Sequence, residues 1–314
     1  MRALITGMSG FVGQYLQAEL KSQGYFVAGT CLPNDTHGNN DIYYCMNVLK
    51  QDDIENVLKD FQPDEIYHLA GQSSVALSWN KPQLTLDINV NGTINLLNAV
   101  RKIVPKCKIL IIGSSDEYGV VKSEDCPVNE THSLNPASPY GISKMTQEKM
   151  AQIFAKAYYL NIVMVRPFNH VGAGQARGFV VSDFAARIAA LEKSTGDAAI
   201  KVGNLHSYRD FTAVEDVVRA YVLLMQKGKC GEVYNVGSGK AVEIQEILNI
   251  LLSYSTKKIN VVIDETLYRP IDVPIVKCDN SKLIAATGWK AKKELKDTLM
   301  DVLNYWRNKV DSIH

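Results

Sequence analysis

The sequence predicts an α/β protein built on a doubly wound parallel sheet, followed by a smaller C-terminal lobe. Three observations predict it. Short apolar runs recur at 3–6, 26–30, 66–69, 109–112 and 162–165, each suited to a buried parallel strand. Between them, the segments 11–22, 53–61, 84–103 and 140–159 carry apolar residues at three- and four-residue steps, the spacing of a helix face. Gly7, Gly10 and Gly13 then punctuate the turn from the first run into the first helical segment. With 314 residues and 46% hydrophobic content, the chain can bury a sizeable core.

Taken in order, the first run ends in Thr6-Gly7-Met8-Ser9-Gly10-Phe11-Val12-Gly13, so its glycines open a helix. The second ends in Gly29-Thr30-Cys31-Leu32, the third in His68-Leu69-Ala70, and the fourth in Gly113-Ser114-Ser115-Asp116-Glu117-Tyr118. Helix 140–159 opens on Tyr140-Gly141-Ile142-Ser143-Lys144, and the fifth run leads into Arg166-Pro167. Beyond it, Gly172, Gly174, Gly178 and Gly196 mark loops, with helix-like stretches at 214–227 and 244–253. The expected organisation is a sheet domain over 1–167, to which the chain returns around 209–237, and a second lobe mainly over 168–314. The ligand cleft is expected between them.

Lys plus Arg number 34 against 33 Asp plus Glu, and this balance offers no general attraction to nucleic acid or a membrane surface. No stretch approaches the ~20 apolar residues of a membrane span. The first apolar run is too short for a signal peptide, so a cytoplasmic location is expected. Cys31, Cys45, Cys107, Cys126, Cys230 and Cys278 are scattered without C-x-x-C or zinc-type histidine spacing. They read as buried free thiols, and no metal site is expected.

The glycine loop suits a dinucleotide. Gly7 can make the tight turn, Gly10 lets backbone approach a pyrophosphate, and Gly13 permits close helix-to-sheet packing. Tyr140 and Lys144 stand four apart on a helix and share a face; the ammonium beside the phenol would favour tyrosinate and so proton exchange with a substrate oxygen. Ser114 to Glu117 follow a strand and sit at the sheet edge where open α/β proteins bind ligands. The second strand end lacks both an acid for a ribose diol and an Arg for a 2′-phosphate, and no Lys or Arg occurs between Lys21 and Lys50. NAD is therefore the expected cofactor, with NADP the alternative.

These motifs together resemble the extended short-chain dehydrogenase/reductase family over nearly the whole chain, including His68-Leu69-Ala70-Gly71 and Asn89-Val90-Asn91-Gly92-Thr93. The resemblance implies a Rossmann-type dinucleotide domain and a Ser114, Tyr140, Lys144 triad. It places Gly7, Gly10, Phe11, Val12, Gly13, Thr30, Asn47, Val48, Leu69, Ala70, Tyr140 and Lys144 around the cofactor, with Asn89 supporting the catalytic helix. Related 4,6-dehydratases carry a Glu at the position of Asp116, as the C5 base, and the glucose-specific ones an acid at that of Ser115. This chain has one shortened carboxylate and a Ser.

Arg166-Pro167-Phe168-Asn169-His170, Arg177-Gly178-Phe179-Val180, Tyr208-Arg209 and Arg269-Pro270-Ile271-Asp272 are similar to segments of the GDP-mannose-derived branch, the GDP-mannose 4,6-dehydratases and GDP-4-keto-6-deoxymannose reductases. That similarity implies a GDP-sugar contacted by Ser115, Asn169, Val180, Lys201, Arg209, Arg269 and Asp272, with His170 read as a turn histidine. The expected activity is nicotinamide-dependent oxidoreduction at C4 of a GDP-linked hexose or heptose, in either direction. A 4,6-dehydratase and a C4 epimerase are the alternatives, and a non-catalytic nucleotide-binding protein a remote one. Resemblance also implies a homodimer or homotetramer through the 84–103 and 140–159 helices.

Overall fold

The computed structural model describes residues 1–33, 35, 41–268 and 273–311. In its first half run β1 (Arg2–Thr6), β2 (Phe26–Cys31), β3 (Ile42–Cys45), β4 (Glu65–His68), β5 (Lys108–Ile112) and β6 (Asn161–Pro167). Then follow β7 (Asn169–Val171), β8 (Ala198–Val202), β9 (Tyr208–Ala213), β10 (Val233–Val236), β11 (Ala241–Glu243), β12 (Ile259–Ile263) and β13 (Ile275–Val276).

Seven strands form one parallel sheet in the order β10-β6-β5-β4-β1-β2-β3. The chain winds outward from β1 in one direction and then from β4 in the other, so a crevice opens between the carboxyl ends of β1 and β4. There Thr6 registers against His68. One sheet face is covered by helices Gln51–Phe61, Gly92–Ile103 and Pro139–Tyr158, and the other by Phe11–Ser22 and Val214–Lys227. The five predicted runs all became strands. Two strands, β3 and β10, fall outside the predicted runs. β3 lies at the sheet edge with no buried residue, and β10 is fully buried but interrupted by Asn235, whose side chain bonds to Val128 O (2.9 Å) and accepts from the Tyr118 hydroxyl (2.7 Å).

The 84–103 segment is not one regular helix. It comprises Pro82–Leu86, a π-helical turn Asp87–Asn91 and Gly92–Ile103. The wide turn buries Asn89, which receives the Gln72 N–H (2.8 Å) and donates to Gln72 O (3.0 Å) and Ser143 Oγ (2.9 Å). A buried amide meets all its partners this way, and helix Pro139–Tyr158 is tied to the loop after β4.

In the smaller lobe β9 is central, with β7 and β13 parallel to it and β11 antiparallel, while β8 pairs with β12. Helices Val180–Lys193, Ile244–Ser253 and Leu295–Asp311 enclose its core. β9 thus stays with the small lobe, and the chain rejoins the large sheet from Val214 to Val236. All six cysteines are free, but only Cys31, Cys107 and Cys278 are buried. Cys126 is half-buried, and Cys45 on the edge strand and Cys230 in the turn before β10 are exposed. Among the described residues no helix is long and apolar enough to cross a membrane.

Candidate active site

The glycine turn is shaped by close approach. Gly7 has φ +72°, and a Cβ there would lie 3.0 Å from Ala70 Cα, so only glycine fits against the loop after β4. A Cβ on Gly13 would stand 2.6 Å from Met8 Cα and O. Gly10 begins the Phe11–Ser22 helix with no side-chain cap, which leaves the amides at that helix start for an anion. Thr30 is buried, and its hydroxyl accepts the Gly7 N–H (3.1 Å) while its carbonyl accepts that of Met8 (3.0 Å). Its side chain therefore braces the turn from beneath. Phe11 stacks on His170 (6.2 Å between centroids), and Tyr15 of the same helix donates to Ala173 O (2.8 Å). Through these contacts the second lobe docks onto the glycine-loop helix. Burial lowers the pKa of His170, whose Nδ1 lies 3.2 Å from Phe168 O.

Leu69 and Ala70 are half-buried at the end of β4, Ala70 against the glycine turn. Asn47 Oδ1 accepts the Leu49 N–H (3.0 Å), and Val48 packs into the core against Gly92.

At the carboxyl end of β5, Ser114 caps a short 3₁₀ turn over Ser115–Glu117. Its Oγ accepts the Asp116 N–H (3.1 Å) and donates to Asp116 Oδ2 (3.2 Å); its own N–H reaches Glu117 Oε1 (2.8 Å). Glu117 is fully buried with Glu148 and Arg166, and Arg166 holds Glu148 through two bonds (2.8 and 2.7 Å). Burial, then repulsion from Glu148, drives the Glu117 carboxyl upward. Helix Pro139–Tyr158 is capped by Ser138, whose hydroxyl accepts the Gly141 N–H (3.0 Å), and it delivers Tyr140 and Lys144 to the same corner. Lys144 donates to Ile112 O (2.8 Å) and Gln147 Oε1 (3.0 Å).

Electrostatics depart from the expectation that Lys144 lowers Tyr140. The phenol is pushed above its ordinary range, by burial first and the Asp116 carboxylate second, and its hydrogen bond with Ser114 offsets only part of this. Lys144 itself falls to about 8 through burial, against a smaller opposite pull from Glu117. Both groups sit too deep for the pair to stabilise a free tyrosinate in this arrangement.

The residues expected to meet the nucleotide sugar are more dispersed. Asn169 is exposed on β7, and Val180 begins the Val180–Lys193 helix. Lys201 on β8 faces solvent and lies 3.5 Å from Asp264. Arg209 on β9 donates to Val273 O (2.6 Å), and Arg177 lies 3.4 Å from Asp183. Ser115 is half-buried beside Ser114. Arg269 and Asp272 lie outside the described residues.

Three residues escaped the sequence reading. Asp35 folds back so that its carboxylate accepts the Ser9 hydroxyl (2.7 Å) and the Leu32 N–H (3.0 Å), which puts an acid beside the glycine turn after all. Its distance from the strand end hid it. Gln147 lies one turn beyond Lys144 and was lost in the helix pattern. Arg187 stands half-buried on the Val180–Lys193 helix, its pKa lowered by burial, with Asp183 opposing and Arg177 adding.

Such a corner belongs to the nicotinamide-dependent oxidoreductases of the short-chain dehydrogenase/reductase type. Known proteins narrow the class: the chain matches the GDP-mannose 4,6 dehydratase family over residues 4–302 and belongs to it. It is 32% identical to a GDP-6-deoxy-D-mannose reductase of Pseudomonas aeruginosa over 98% of both chains. It is also 27% identical to a GDP-mannose 4,6-dehydratase of Yersinia enterocolitica, covering 92% of this chain and 89% of that one. Among solved structures it resembles RMD from Pseudomonas aeruginosa complexed with NADPH, at TM-score 0.87 and 32% identity over 98% of each chain.

Proposed function

We propose that the protein reduces a 4-keto GDP-linked sugar at C4, in the manner of a GDP-4-keto-6-deoxymannose reductase, with NAD in its reduced form as cofactor. The carrying observation is the state of the polar groups at the β5 edge. Tyr140 is held protonated by burial and Asp116, which suits a phenol that gives its proton to a C4 oxygen. Asp116 is shortened and bonded to Ser114, and Ser115 stands where a second acid would assist elimination, so a C5 base and its partner acid are not assembled. The GDP moiety is supported by the family and by the named activities of its relatives.

The residues fit the cofactor. The Gly7 to Gly13 turn and the uncapped start of the Phe11–Ser22 helix would hold the pyrophosphate, Leu69 and Ala70 would line its path, and Lys144 would meet the ribose. When bound, the cofactor supplies the hydride to C4. Ser114 would turn from Asp116 to donate to the C4 oxygen, and Tyr140 would deliver the proton. Asp35 supports NAD: its carboxylate at the glycine turn favours a ribose diol and repels a 2′-phosphate. Arg209, Lys201, Asn169 and Val180 would receive the GDP moiety, joined by Arg269 and Asp272.

The test is the loss of reduced-nicotinamide absorbance when the purified protein meets GDP-4-keto-6-deoxymannose. No consumption with either NADH or NADPH would refute the reading. Solvent deuterium at C5 would instead mark a dehydratase, and exchange of C4 configuration without net redox an epimerase. Exposed Leu77, Trp79, Leu84, Leu86, Ile142 and Ile153 lie on the neighbouring 75–86 and 139–158 helices, which supports a homo-oligomer built on that face. Light scattering that gives a monomer mass would exclude it. We place the enzyme in the cytoplasm, where nucleotide-linked sugars and reduced cofactor are both supplied.

A further inference from the structure

We infer that Gln147, Thr93 and His68 act as positioning residues for Lys144 through two runs of hydrogen bonds that meet at Thr93, in which His68 is neutral and carries its proton on Nε2. The inference deepens the oxidoreductase reading and rests on it for its catalytic meaning. It starts from proton counting around Thr93, a fully buried hydroxyl with three neighbours: Asn89 O at 2.7 Å, Gln147 Nε2 at 2.9 Å and His68 Nε2 at 3.0 Å. A carbonyl only accepts, so the single Thr93 proton goes to Asn89 O. Gln147 and His68 must then be donors. This orients the Gln147 amide with Oε1 toward Lys144 Nζ, at 3.0 Å. It also leaves His68 Nδ1 as an acceptor, 2.8 Å from Thr6 Oγ1. Thr6 in turn receives the Ala70 N–H (3.1 Å) and spends its own proton on His68.

The Ala70 N–H, both hydroxyls and both imidazole nitrogens are matched, and the direction runs one way from Ala70 through Thr6, His68 and Thr93 to Asn89 O. Gln147 meets Thr93 from the opposite side and presents its oxygen to Lys144. An imidazolium at His68 would leave the Thr6 proton without its acceptor, in a site almost wholly removed from water. The groups that face this chain agree. Lys144 is the charge that bears on His68, and burial together with that cation lowers His68 to about 3; Lys144 sees Glu117 from the turn after β5 and shares its helix with Tyr140. With Ile112 O and Gln147 Oε1 taking two N–H groups, one remains for the reaction site. The same chain ends at Ala70, against which Gly7 is packed, so the glycine turn and the catalytic lysine share one rigid connection.

The first experiment reads His68 directly. In ¹⁵N-histidine-labelled protein, its signals, assigned by their loss in His68→Asn, should show the Nε2–H tautomer without titrating between about pH 5 and pH 9. An Nδ1–H tautomer, or titration near the ordinary histidine value, would overturn the inference. The second follows Lys144 by the ¹³Cε signal of labelled lysine, assigned with Lys144→Arg. Its midpoint should begin near 8 and fall by on the order of one pH unit in Thr93→Val, which removes the hydroxyl at constant shape. Thr93→Ser should bring the midpoint back toward the wild-type value. Gln147→Met should reproduce the fall, which keeps the test open if Thr93→Val fails to fold. A folded Gln147→Met with an unmoved Lys144 midpoint would sink the idea. Neither readout needs substrate, so absence of turnover on a GDP-linked sugar would refute the proposed activity and leave this result standing on its own.

Discussion

The proposed catalytic corner of the large sheet and the proposed nucleotide-sugar side of the small lobe hold their polar groups in opposite ways. At the corner, Ser114, Tyr140 and Lys144 are buried, and Lys144 is held by a backbone carbonyl and a buried amide, while Ser114 also bonds the exposed Asp116 carboxylate. On the small lobe, Lys201 and Arg177 lie largely in solvent, each near one carboxylate at 3.5 and 3.4 Å. Proton transfer needs donors aimed before substrate arrives, because a reacting oxygen tolerates little misplacement. Capture of a diphosphate needs reach, and long cations on an exposed strand and loop supply it while paying little desolvation.

The sharpest way to break this contrast is Tyr140→Phe. It should cut turnover by roughly 10³-fold with the sugar KM within about threefold, measured by steady-state nicotinamide absorbance; a loss under tenfold would remove Tyr140 from the proton path. Arg209→Ala should do the reverse, raising KM for the GDP-sugar about tenfold with kcat nearly unchanged, since it removes binding shared by ground and transition states.

The pH profile sharpens the corner itself. The Lys144 pKa is lowered, so its cation is present below about 8 and lost above it, and reduction should decline on that alkaline side. In Lys144→Arg the decline should move upward, because a guanidinium stays charged. Asp35→Asn should raise NADP affinity relative to NAD by about fivefold in a direct binding titration, as one like charge is removed near the ribose. Smallest of all, Lys201→Ala should change the sugar KM by about twofold or less at physiological salt, as befits an exposed cation already shared with Asp264.

Local pattern made much of this legible. The glycine spacing, the Tyr140 to Lys144 step and the apolar runs depend on residues within a turn or a strand of one another, and the backbone period translates them into place. β3, Ile42-Tyr43-Tyr44-Cys45, escaped the sequence reading although its residues are hydrophobic, being short and at the sheet edge, and β10 because Asn235 interrupts its run and is satisfied by Val128 and Tyr118, more than a hundred residues distant. The thiols illustrate the same limit, since composition cannot tell Cys107 in the core from Cys45 on the edge strand. The phenol differed for an energetic reason: helical spacing brings an ammonium onto the face of Tyr140 but says nothing of burial, which governs its proton.

By itself, then, the sequence determined the doubly wound sheet, the glycine turn and the Ser, Tyr and Lys residues gathered at its edge, because each is written in short-range periodicity. Only the tertiary structure decided that Asp35 returns to Ser9, that Thr30 braces Gly7, and that Thr6 communicates with Lys144 through His68, Thr93 and Gln147. Apart from the Gln147 to Lys144 step, those pairings join residues more than twenty positions apart. They are selected by the demand that every buried donor find an acceptor, which can be met only once the strands are in register.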